Sequence, residues 1–176
     1  MTQIADNRVL RVTKLLVYLI MGIVALAGAL LALVSIILPF YWTEALAEVA
    51  QANPGLDQAV LLPNLLVVFA FGVIILGLIW TIMRKLLAII SSVEVGNPFA
   101  RANAHRLRAI GWLMVGIQIV GIPLAFAAGA AADLFGESDT GFDFSINGLL
   151  AILLVFILAG IFEYGAEMRE ELEGMV

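Results

Sequence analysis

The sequence predicts an all-α integral membrane protein of four transmembrane helices, with a cytoplasmic helical hairpin that extends spans two and three. Three observations carry that expectation. The first is composition: 63% of the 176 residues are hydrophobic and 13% charged, with a mean hydropathy of +1.09, too little polar surface to cover a soluble domain of this length. The second is continuity. Four uncharged runs, Leu15 to Thr43, Gln58 to Met83, Ala109 to Ala132 and Phe144 to Phe162, can each cross a hydrocarbon core of about 30 Å as a helix. A single-chain outer-membrane barrel would show alternating segments of about ten residues instead. The third is the placement of the nine Lys and Arg: Arg8, Arg11 and Lys14 precede span one, Arg84, Lys85, Arg101, Arg106 and Arg108 lie between spans two and three, and Arg169 follows span four. Short loops rich in Lys and Arg stay cytoplasmic, so both termini and the central segment are expected inside and residues 44–57 and 133–143 outside. This is the topology of a multi-pass inner-membrane protein, with 1–176 as a single domain.

The N-terminal basic residues and the apolar sequence after them imitate a secretory signal. The run far exceeds the roughly 7–15 residues of a signal core and no small-x-small site follows it, so it reads as a retained anchor. Within it Ala25, Gly28, Ala29 and Ala32 form a small-residue face that another helix can approach closely, and Phe40, Tyr41 and Trp42 mark the outer interface. The stretch E-A-L-A-E-V-A-Q-A that follows suits a short surface helix, ended by Asn53-Pro54-Gly55. Span two starts near Pro63 and, since nothing between Met83 and Val95 breaks a helix, continues past the membrane.

Gly96-Asn97-Pro98 then closes one helix and opens another within about two residues. Glycine can take the left-handed conformation of a helix end, asparagine can accept from the first amides of the next helix, and proline belongs at a first helical position. The arms Arg84–Val95 and Pro98–Arg108, about 18 and 16 Å long, can pair through Leu86, Ile89, Ile90 and Val93 on one side and Phe99, Asn103, Leu107 and Ile110 on the other. In span three Gly111, Gly116 and Gly121 recur at intervals of five, and Pro123 frees the carbonyl of Ile119, which reads as a packing kink. The loop bearing Asp133, Glu137, Asp139 and Asp143 lacks a calcium-loop register and reads as solvated. Span four runs on from Tyr164 into an acidic tail.

Chemistry is sparse in this chain. There is no cysteine and one histidine, so no disulfide, zinc set or haem ligand pair can be assembled, and H-E-x-x-H, G-x-S-x-G and a phosphate loop are all missing. No catalytic residue, cofactor or metal is expected, and the protein does not read as an enzyme. The net charge of -5 divides between both sides of the membrane and gives no argument for direct nucleic-acid binding. Asn64 and Gln118 read as helix-to-helix hydrogen bonders. Glu163, at the cytoplasmic end of span four, reads as an interfacial ion pair in preference to a proton relay. Arg101, His105 and Arg108 stand at i, i+4 and i+7, and Glu163, Glu167 and Glu170 repeat that spacing, so two parallel ladders of opposite charge can face each other.

The run Gly96-Asn97-Pro98-Phe99, then Asn103-Ala104, Arg106-Leu107-Arg108 and Ile110, with Phe162-Glu163-Tyr164-Gly165-Ala166-Glu167 and Glu170-Glu171, resembles a bacterial family of four-helix membrane proteins classed as a domain of unknown function. The resemblance covers nearly the whole chain. Two departures stand out: the tail closes as Glu173-Gly174-Met175-Val176 where the family has an acidic residue, an aliphatic, threonine and an aliphatic, and Arg169 stands where glutamine is common. Many members resemble neighbours of small helix-turn-helix regulators, which implies regulation or signalling and carries over no catalytic residue. The function expected is therefore that of a regulatory, signalling or assembly protein. It would dock an unknown membrane or cytoplasmic partner protein through Gly96, Pro98, Phe99, Arg101, Asn103, His105, Arg108, Glu163, Glu167 and Glu170. The alternative is a small transporter or channel subunit, a homo-oligomer built in the lipid bilayer on glycine and alanine faces, with Pro123 and Gln118 along its path.

Overall fold

The computed structural model describes residues 2–44, 47, 58–133 and 146–174. Among them the secondary structure is helical, in four long elements: α1 Thr2–Ile37, α2 Gln58–Glu94, α3 Arg101–Asp133 and α4 Ile146–Gly174. All four are long and apolar enough to cross a membrane. Their apolar side chains largely face outward, as with Leu26, Leu30, Ile119, Leu154 and Ile157, the reverse of a water-soluble bundle. Apart from Ala47, the surface helix expected after Glu44 lies outside the described residues, as do the acidic loop beyond Asp133 and the last two tail residues.

The boundaries differ from the sequence reading in three places. α1 closes at Ile37, short of Thr43, and the next residues turn through Phe40 N–H to Ile37 O (3.0 Å) and Tyr41 N–H to Leu38 O (3.2 Å), since Pro39 cannot continue the ladder. α2 begins at Gln58, with Pro63 inside it; that close to a helix start, proline loses few bonds. Asn64 donates to Val60 O of its own helix at 3.0 Å, where a bond to another helix was expected. The third difference is the start of α3 at Arg101, which leaves residues 95–100 as the connection to α2.

By its internal packing the chain divides into two compact units, one drawing on α1, α2 and α3 and the other on all four helices. One takes in the described residues of 25–77 and 117–144. In it Leu61 and Ala131 form a small buried cluster with Trp42 and Leu65 packed against it, and Leu76 of α2 lies close over Gly28 in the small-residue face of α1. Trp42 is thus occupied in packing, while Phe40 and Tyr41 stay exposed.

The other unit takes in the described residues of 1–24, 78–116 and 145–174. α2 ends in it on a Schellman motif: Asn97 N–H bonds Ser92 O (3.0 Å), Gly96 N–H bonds Val93 O (2.9 Å), and Gly96 has φ +80°, a conformation that costs little only for glycine. The helix carries Glu94 at its negative end and no base in its last turn, an unfavourable arrangement for the dipole. Lys14 of α1 answers it, its Nζ 2.6 Å from a Glu94 carboxylate oxygen.

Candidate functional site

Asn103 sits at the centre of this second unit, with no exposed surface. It lies in the first turn of α3, on the stripe with Leu107 and Ile110, both buried. A buried amide needs partners for all its polar atoms, and this one is fully supplied. Nδ2 donates to the Ser92 hydroxyl of α2 and to Pro98 O in the connection (2.8 Å), and Oδ1 accepts from Arg106 Nη1 at 2.7 Å. Ser92 Oγ in turn donates to Ile89 O (2.7 Å), and Arg106 Nη1 reaches Ala88 O (3.4 Å). One side chain therefore ties together the end of α2, the connection and the start of α3. It also explains the late start of α3, because Pro98 O is turned to the Asn103 side chain instead of entering a helical ladder.

α4 packs against this corner through the two stretches singled out above. Phe99 and Phe162 stack at 5.3 Å between ring centroids with planes tilted by 45°. Gly165 admits the Phe99 ring so closely that a Cβ there would lie 2.7 Å from ring Cδ1, and Ala166 beside it is buried. Asn97 Oδ1 accepts from Arg169, so the oxygen expected to cap α3 instead holds α4. Outside this apolar contact Arg101 meets Glu170 at 3.0 Å and Arg108 meets Glu163 at 2.6 Å. The register is antiparallel, 101 to 170 and 108 to 163. Between those rungs His105 and Glu167 are exposed, and no ion pair joins them among the described residues. A cleft of about 210 Å³ opens beside the contact, lined among others by Asn97, Phe99, Arg101, Ala166 and Glu170.

The residues expected to act together thus fall into three groups. Asn103 is internal and works on the fold; Gly96, Pro98 and Phe99 shape the connection; Arg101, His105, Arg108, Glu163, Glu167 and Glu170 make a charged face across α3 and α4. Sequence reasoning passed over Ser92, Arg106 and Arg169 as contact residues. Only Arg106 carried a local signal, its i+3 spacing from Asn103. Among the described residues no three His, Cys, Asp or Glu side chains are placed to hold a metal ion.

Side chains in both rungs are more than a third exposed, so each pair is worth only about 0–1 kcal/mol. Arg101→Gln and Arg108→Gln together are expected to shift the unfolding midpoint in mixed micelles little, and the shift should vanish as salt is raised. Cysteines replacing Arg101 and Glu170 should crosslink readily. A large, salt-insensitive loss would show that the pairs are structural clamps.

Residues 87–176 match a family described as a protein of unknown function (DUF2975), and that range holds both stretches that meet at the Phe99 contact. The resemblance read from those stretches also pointed to a family of unknown function. No curated protein and no solved structure matches the chain.

Proposed function

We propose, on the premise that this chain belongs to the DUF2975 family of proteins of unknown function, that it is a multi-pass inner-membrane protein that docks a regulatory or assembly partner. The docking face is the charged surface of α3 and α4 around His105 and Glu167, at the cytoplasmic side. The observation that carries this reading is the pair of exposed ionic rungs, one of which, Arg101 with Glu170, borders an open cleft. Such rungs add little to stability and are readily exchanged for a partner's charges. The apolar contact of Phe99 with Phe162 and Gly165 beneath them keeps the face in register while those bonds exchange. The reading is of a binding protein and not of an enzyme.

Orientation follows the charge bias and is checked with Val95→Cys and Glu44→Cys, both at exposed positions, in a chain with no native cysteine. A membrane-impermeant thiol reagent on intact cells should label the second and spare the first. The reverse pattern would sink the orientation. Docking is tested by placing a photocrosslinking residue at His105 and, for comparison, at Leu154 on the apolar surface of α4. The expected result in native membranes is a discrete adduct from position 105 with a protein other than this one. Adducts confined to position 154 and to copies of the same chain would favour the channel or transporter subunit built by self-association.

A further inference from the structure

Three cations of the same unit take no part in the ion pairs described above. Arg84 and Lys85 of α2 and Arg106 of α3 line an open pocket of about 310 Å³, together with Thr81 and Ala88. Positions 81, 84, 85 and 88 fall on one helical face, and α3 closes the site from the opposite side. Lys14, Arg101 and Arg108 each meet a carboxylate, but among the described residues no carboxylate answers Arg84, Lys85 or Arg106. Arg106 is nevertheless held. Both its bonds, to Asn103 Oδ1 and Ala88 O, use Nη1, which leaves Nη2 and Nε as donors on a guanidinium whose orientation is set by a fully buried amide.

We propose that this pocket binds the phosphate of an anionic membrane lipid. Two guanidinium groups and an ammonium offer forked and single donors that suit phosphate oxygens, and gathering three unpaired positive charges in one pocket is unfavourable until an anion joins them. Depth selects the source. Arg84 directly follows the uncharged run that ends at Met83, and Arg106 lies just before the run that begins at Ala109, so both helices bring their cations to the level where apolar sequence gives way to polar. Lipid phosphates occupy that level of a bilayer, and basic pockets between membrane helices are suited to them. With no carboxylate on the lining to receive a headgroup amine, the pocket favours phosphatidylglycerol over phosphatidylethanolamine. The proposal shares with the docking reading only the premise that the helices span a membrane, and it uses none of the residues of the charged face.

The test is native mass spectrometry of the protein in neutral detergent, incubated with equimolar phosphatidylglycerol and phosphatidylethanolamine. The wild type should retain phosphatidylglycerol preferentially. Arg84→Gln with Lys85→Gln should weaken that retention about 10- to 30-fold, while Arg101→Gln should leave it unchanged. Arg106→Gln should act like the double variant; because Arg106 also bonds Asn103, its fold is checked by circular dichroism, and the Arg84/Lys85 variant decides if it unfolds. Excess inorganic phosphate should displace little lipid. Full displacement by inorganic phosphate would make free phosphate the ligand and overturn the lipid assignment. Absence of a phosphatidylglycerol preference, or an equal loss in Arg101→Gln, would overturn the site. Neither result bears on the adduct expected from position 105, so the two readings fail separately.

Discussion

Asn103→Ala is expected to lower stability by about 2–4 kcal/mol, because it removes two donated bonds and one charge-assisted accepted bond from a site without water access. The groups left behind matter more than the volume lost. Pro98 O is stranded, and Arg106 loses the acceptor that sets its orientation. Asn103→Asp separates these effects: the oxygen facing Arg106 is kept and the pair becomes ionic, but both donors go and a carboxylate faces Pro98 O. It should fall between the wild type and alanine. The measurement is unfolding in mixed micelles followed by circular dichroism, with Asn64→Ala as comparison, since that amide bonds only its own helix and should cost less than about 0.5 kcal/mol. An alanine variant as stable as the wild type would show that the connection is held by its backbone bonds alone.

The second large effect is expected at Gly165. Gly165→Leu places a side chain where the Phe99 ring lies, and overpacking of this kind costs about 1–3 kcal/mol. The ring is tethered by its stacking on Phe162, so it cannot swing clear without losing a contact worth about 0.5–1.5 kcal/mol beyond the area it buries. Phe99→Ala alone should also destabilise. Combined with Gly165→Leu it should be no worse than Phe99→Ala by itself, because the leucine then fills the space the ring vacates, and that non-additivity is the mark of direct contact. Losses that simply add would place the two residues in separate environments. A loosened α4 should also lose the crosslink between cysteines at positions 101 and 170 in Gly165→Leu, and regain it in the double variant.

How much of this was legible in the sequence varies by element. Continuous apolar runs forecast four helices long enough to cross a membrane, because a helix satisfies its backbone within one segment and a closed barrel, the other solution in hydrocarbon, would need alternating segments. Gly96 forecast the end of α2 because a positive φ has a residue signature. The charged faces of α3 and α4 could be set opposite each other because helical spacing puts each set on one face, while the register, 101 with 170 and 108 with 163, came from the packing. Helix starts were less legible. Pro63 lies within α2 and Asn97 does not cap α3, since what a proline or an asparagine signals depends on who takes its bonds.

Periodicity states which residues share a face of one helix but not how that helix is rotated against another, and this divides what the sequence determined from what tertiary structure decided. Composition, run length and charge bias determined the class of protein, the number of helices and the expected topology, all of which depend on sums over many residues. Tertiary packing decided that Asn103 is wholly enclosed, that Gly165 receives Phe99, that Lys14 reaches Glu94 from 80 positions away, and that Arg84, Lys85 and Arg106 are left around one pocket. Each of these turns on a few side chains from distant segments meeting within about 3–5 Å, a condition set by how the helices dock and written in no local pattern.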